Sequence, residues 1–183
     1  CASGKTLFAS NVMYIDEYDI RDAHQRIHII SPHAKQGVLN NPLQPIIDEA
    51  EQDPDGKFIL YPLDDLADAE SIMKKRIAEL KSDPPQKGDK MDLFFFDDYG
   101  DQIRRNSWLQ GWLTKCRHST TGFANIMILV QMPSNQGGLP PSVINVVDYW
   151  IVNTSCRKNT KTAKLWDAVA SLIPLGDAST GSA

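Results

Sequence analysis

Ser3-Gly4-Lys5-Thr6 is the run whose residue types speak most directly of chemistry. It matches the back half of the phosphate-binding loop: Gly, four free residues, Gly-Lys, then Ser or Thr. In that motif, backbone amides, a lysine and a magnesium ion together neutralise a polyphosphate. The motif's first glycine and the strand before it are expected ahead of residue 1. Four residues alone are a weak signal. They gain weight if a helix follows at once and an acidic strand lies downstream.

Both conditions are met in the sequence. Thr6 to Tyr14 reads as a helix, whose amino end would offer N–H groups to phosphate. Met91 to Phe96 is an apolar strand interrupted only by Asp92, and it runs into Asp97-Asp98. Ligands of open α/β sheets collect beyond the carboxyl ends of strands. Phosphoryl transfer then suggests the roles. Lys5 would neutralise the β- and γ-phosphates of ATP, and Ser3, Gly4, Lys5 and Thr6 together would bind the nucleotide. The Thr6 hydroxyl and Asp97 would hold Mg2+. Asp98, expected to point across the pleat from Asp97, would orient and deprotonate the attacking water, which makes the expected enzyme a hydrolase. Gln131 ends the next apolar strand, where it could sense a γ-phosphate or cap a loop. Arg117 and His118 lie between a helix and that strand, and Arg117 could reach a neighbouring subunit's nucleotide. His24, His28 and His33 show no metal-ligand spacing with carboxylates.

The elements that must position these residues alternate. Strands are expected at Arg26–Ser31, Phe58–Tyr61, Met91–Phe96, Asn125–Gln131 and Tyr149–Asn153. The helices lie at Pro45–Gln52, after Asp64 or Asp65, at Trp108–Thr114 and at Lys161–Leu172. The second of these carries Leu66, Ala69, Met73, Ile77 and Leu80 at helical spacing, with Lys74, Lys75 and Arg76 on its exposed side or near its end. Residues 134–142 read as a Gly/Pro loop, and 143–147 are ambiguous. Strands that are apolar throughout and separated by helices imply an α/β fold with a parallel sheet covered on both faces. One domain is expected over 1–175, with a small polar tail at 176–183. The four tryptophans read as packing residues.

Bulk properties narrow the classes. The 183 residues fit one domain, and a net charge of −4 excludes a generally basic nucleic-acid binder. Two local basic clusters remain: Arg104, Arg105, Lys115 and Arg117, and then Arg157, Lys158, Lys161 and Lys164. Either could be a solvated face or grip phosphates. No apolar run reaches the ~20 residues that a membrane-spanning helix needs, and no secretory leader is visible. Cys1, Cys116 and Cys156 suggest free thiols in a reducing compartment.

Taken in order, SGKT at 3–6, LFFFDD at 93–98, LTKCRHSTTGFANIMILVQMP at 113–133 and LPPSVINVVDYWIV at 139–152 form a series. That series resembles the HerA/FtsK superfamily of P-loop translocases, especially the genome-packaging ATPases of the poxvirus and giant-virus type. The resemblance implies a RecA-like ASCE core that assembles as a pentameric or hexameric ring and drives double-stranded DNA into a capsid using ATP and Mg2+. It implies that Arg117 is a trans-acting arginine finger and Gln131 a sensor. It also implies a setting inside the host cell, in cytoplasm or viral factory, or at a virion vertex beside capsid or portal proteins, with no membrane insertion. The commonest superfamily acid pair is Asp-Glu; here it is Asp-Asp, one methylene shorter. Two other readings share these residues: a P-loop nucleoside or nucleotide kinase, with Arg104, Arg105 and Arg117 as lid arginines, and a ring subunit that binds nucleotide without hydrolysing it.

Overall fold

Phe94, Phe95 and Phe96 are wholly shielded from solvent, which is possible only for a strand with protein on both faces. In the computed structural model, which describes residues 4–14, 20–54, 56–62, 66–86, 88–119, 124–129 and 139–147, they lie in the middle of a four-stranded parallel sheet. The elements run α1 (Lys5–Tyr14), α2 (Ile20–Ala23), β1 (His24–Ser31), α3 (Gln44–Gln52), β2 (Phe58–Pro62) and α4 (Leu66–Ser82). There follow β3 (Met91–Asp97), α5 (Gly100–Arg105), α6 (Ser107–Ser119), β4 (Ala124–Leu129) and α7 (Pro141–Ile144). The strand order is β2-β1-β3-β4, so β1 and β3 are the inner pair.

Side chains alternate across a strand, and β3 divides the core accordingly. Phe94 and Phe96 enter one layer with Ile30, Met73, Ile77, Ile103 and Trp112, supplied by β1, α4, α5 and α6. Leu93 and Phe95 enter the opposite layer with Ala9, Met13, Ile29, Ile46 and Ile47, supplied by α1, β1 and α3. Burying one such aromatic contributes about 1.5–3 kcal/mol. The α/β class and the helices on both faces therefore agree with the sequence reading.

Several details differ. β1 begins at His24, which is in register with Met91 of β3, and the His24 ring is tied to the Ile20 carbonyl through Nδ1 (2.6 Å) and to Asn125 of β4 through Nε2 (2.9 Å). The short helices α2 and α5 were not expected, α7 starts within the stretch read as a loop, and α6 is longer than Trp108–Thr114. β4 is only partly buried, with Asn125 exposed, rather than a buried strand; among the described residues it has a strand neighbour on one side only. The expected strand at 149–153, the helix at 161–172, the basic run at 157–164 and the tail lie outside the described residues. Trp108 and Trp112 are packing residues, as expected: their rings stack, and Trp112 meets Phe94 edge-on.

The most consequential correction concerns Arg76. It does not extend into solvent. Its guanidinium lies against Asp92, with Nε donating to Oδ2 (2.8 Å) and Nη2 to Oδ1 (3.2 Å). Asp92 is fully buried, and its Oδ2 also receives His28 Nε2 at 2.9 Å, while His28 Nδ1 meets the Tyr61 hydroxyl at 2.7 Å. A neutral imidazole satisfies every member: Tyr61 donates to Nδ1, and Nε2–H donates to the carboxylate. Burial, opposed by Asp92, holds His28 below its ordinary value. Burial pushes Asp92 up, but the bonds from His28 and Arg76 outweigh it and leave its carboxyl below the usual range.

Both shifts act in one direction. A group depressed in the folded state stabilises fully above its unfolded value and loses that contribution as pH falls below it. The stability contributed by His28 should therefore decline as pH drops from about 6.5, the ordinary histidine value, towards 5. His28→Gln should blunt that part of the decline, measured by urea titration across the same range.

Candidate functional site

The site begins at Gly4, whose φ of +67° lies in the left-handed region that a side chain would strain. Open space surrounds the place a Cβ would occupy, so the requirement is conformational. The Gly4 carbonyl accepts the Phe8 N–H at 2.8 Å and so starts α1, which places Lys5 and Thr6 in the first helical turn.

That turn faces the carboxyl end of β3. Thr6 Oγ1 is 3.1 Å from each Asp97 carboxylate oxygen and donates to them, across 91 residues of sequence. Ser31, the last residue of β1, donates through Oγ to Asp97 Oδ2 at 3.1 Å. The His33 N–H in turn donates to Ser31 Oγ at 3.0 Å. Asp97 and Ser31 are both fully buried. Burial first, and then the neighbouring Asp98 charge, raise the Asp97 carboxyl above its ordinary value, against the pull of the Thr6 and Ser31 hydroxyls.

Asp98 departs from expectation. Continuing the strand would have sent it across the pleat. Instead β3 stops at Asp97 and Asp98 turns to φ +51°, a conformation that aspartate tolerates at a cost on the order of 1 kcal/mol. Its carboxylate then sits 3.9 Å from Lys5 Nζ through Oδ1 and 3.9 Å from His33 Nε2 through Oδ2. Both acids thus converge on the first turn of α1, Asp97 at Thr6 and Asp98 at Lys5.

The donor set can be tested against Mg2+. That ion takes hard oxygen ligands and is held by one or two carboxylates plus substrate phosphates and water. The Asp97 carboxylate and the Thr6 and Ser31 hydroxyls bonded to it are hard oxygen donors of that kind. No group of three or more His, Cys, Asp or Glu able to hold a metal occurs among the described residues. A divalent ion here would depend on polyphosphate oxygens to complete its shell.

Of the other residues singled out in the sequence, Ser3 and Gln131 lie outside the described residues. β4 ends at Leu129, paired with Asp97. Arg117 lies in α6, but its side chain is outside what is described. Arg105 is exposed and paired with Asp101 at 2.8 Å, so it does not enter the lysine–acid cluster. A separate cleft of about 480 Å³ between α4, α5 and α6 contains none of the cluster's residues. Sequence reasoning missed Ser31 and His33. The available signal was their place at the carboxyl end of an apolar strand, beside the Pro32 that stops it.

No protein-family model matches the chain, and comparison with curated proteins and with solved structures gives no match either.

Proposed function

We propose that this chain is the RecA-like ASCE core of an ATP-hydrolysing DNA translocase of the HerA/FtsK type, working as a pentameric or hexameric ring that packages double-stranded DNA. The observation that carries the nucleotide reading is the Thr6–Asp97 hydrogen bond, which joins the start of α1 to the end of β3. The packaging role, the ring, and a seat beside capsid or portal proteins rest on the ordered motifs of the sequence.

In this reading, Gly4 and the first N–H groups of α1 receive the phosphates of ATP. Lys5 leaves Asp98 and spreads its charge over the β- and γ-phosphates. Thr6 and Asp97 would hold Mg2+, which would supply neutralising positive charge to the phosphates. Ser31 keeps the Asp97 carboxylate turned towards Thr6. Asp98 orients the attacking water and accepts its proton as the oxygen bonds to the γ-phosphorus and the bond to the leaving ADP oxygen breaks. Gln131 senses the γ-phosphate, and Arg117 reaches the nucleotide of the adjacent subunit.

The test is ATP hydrolysis by the full-length protein with Mg2+, with and without duplex DNA. Hydrolysis stimulated by DNA is expected. No hydrolysis in either condition removes the proposal, and phosphate transfer to nucleosides faster than to water assigns a kinase instead. Arg117→Ala should lose turnover only in the assembled ring, which mixing with a Lys5→Ala subunit reads out as recovered hydrolysis at the mixed interfaces.

A further inference from the structure

His33 is held by its backbone more firmly than an exposed loop residue requires. Its N–H donates to Ser31 Oγ (3.0 Å), and its carbonyl accepts from Asn41 Nδ2 (2.7 Å). Asn41 is itself buried and fixed, with Oδ1 accepting the Leu43 N–H at 3.0 Å. The Ala34 N–H closes the turn on the Ser31 carbonyl at 3.1 Å. The imidazole, with 42% of its side chain exposed, is therefore carried on a rigid support. That support begins at Ser31, which also touches Asp97.

The Asp98 carboxylate lies between two cationic or hydrogen-bonding groups, one per oxygen, at equal distances of 3.9 Å: Lys5 Nζ at Oδ1 and His33 Nε2 at Oδ2. That separation exceeds a hydrogen bond, so both are contacts of charge and proximity. The two partners differ in what else they must do. In the proposed function Lys5 is needed at the phosphates, so Asp98 loses it at the moment it must act. Partly exposed ion pairs contribute only about 0–1 kcal/mol, so that exchange costs little. A short aspartate on a left-handed residue then needs another group to keep its carboxylate directed.

We propose that His33 is the positioning residue of Asp98, taking over the carboxylate when Lys5 turns to the phosphates and holding it towards the attacking water. Asp98 meets both groups at once, one at each oxygen, so the departure of Lys5 leaves the His33 contact in place. This inference rests on the ATPase reading above.

The test is steady-state ATP hydrolysis by wild type, His33→Ala, His33→Gln, His33→Leu and the same alanine change in an Asp98→Asn background, each checked by thermal melting. His33→Ala and His33→Leu should lower kcat about 10-fold, the size usual for removing an outer-shell partner, with KM for ATP unchanged. His33→Gln, which keeps a side-chain donor, should recover at least half of wild-type kcat. In the Asp98→Asn background His33→Ala should have no further effect, because the group it positions is gone. A merely structural role would lower the residual rate in both backgrounds. Wild-type turnover with unchanged kcat in His33→Ala, or equal losses in both backgrounds, overturns the inference and leaves the ATPase reading standing. Absence of turnover in wild type overturns both.

Discussion

Asp97→Asn is expected to reduce ATP turnover on the order of 1,000-fold, the scale seen when one fixed electrostatic partner of a transition state is removed. Asparagine keeps the shape and can still accept from Thr6 or Ser31, so the change isolates the charge. The same substitution should stabilise the fold in metal-free buffer by about 0.5–2 kcal/mol, the range of single stabilising substitutions. The reason is that the wild-type carboxylate is fully buried, and its hydrogen-bond partners among the described residues are the neutral Thr6 and Ser31 hydroxyls. The pH sign follows from the raised Asp97 value. A carboxyl raised in the folded state favours folding while protonated and loses that contribution as pH rises through its folded value. The stability advantage of Asp97→Asn should therefore be small in acid and grow towards neutrality, as read by urea titration at several pH values. Lys5→Ala should lose turnover comparably without the gain in stability, since its partner Asp98 is one-third exposed. Wild-type turnover in Asp97→Asn, or a lower melting temperature, would contradict this account of the site.

Asp92→Ala is expected to cost about 3–5 kcal/mol of folding stability, the range for removing one partner of a buried ion pair. Arg76 would lose both of its bonds to Asp92, and the His28 Nε2–H would face a void inside the sheet. Chemical denaturation at neutral pH measures the loss, and Asp92→Asn should lose less because it keeps an acceptor for His28. Asp92 lies at the opposite end of β3 from Asp97, so turnover per folded molecule should be preserved. A loss below ~1 kcal/mol, typical of exposed ion pairs, would show that water reaches the group.

The two effects lie at opposite ends of one strand, and their legibility in the sequence differs for a physical reason. Met91 to Phe96 could be read as a buried strand because an apolar run bounded by polar residues is a local signal. Its acidic terminus could be read as a ligand site because strand ends of α/β sheets collect ligands. Asp92 looked like a minor interruption and Arg76 like a solvated helix residue. Their pairing depends on α4 packing over β3, which no local pattern encodes. His28 likewise became intelligible only once β1 was seen beside β3, with His28 in register with Phe94 and its ring stacked on that phenyl.

Sequence alone determined the alternation of strands and helices, the amphipathic stripe Met73, Ile77 and Leu80, and which lysine, threonine and aspartates the proposed phosphate chemistry would use. Those properties depend on side-chain type and on repeats of two or 3.6 residues, which are local. Tertiary structure decided which strands are neighbours and that Thr6 and Asp97 meet. It also decided that Asp98 turns back to Lys5 and His33 rather than crossing the sheet, and that an arginine on α4 closes a buried charge network. Each of these depends on two or more segments packing together to satisfy buried polar groups, and that requirement exists only in the folded chain.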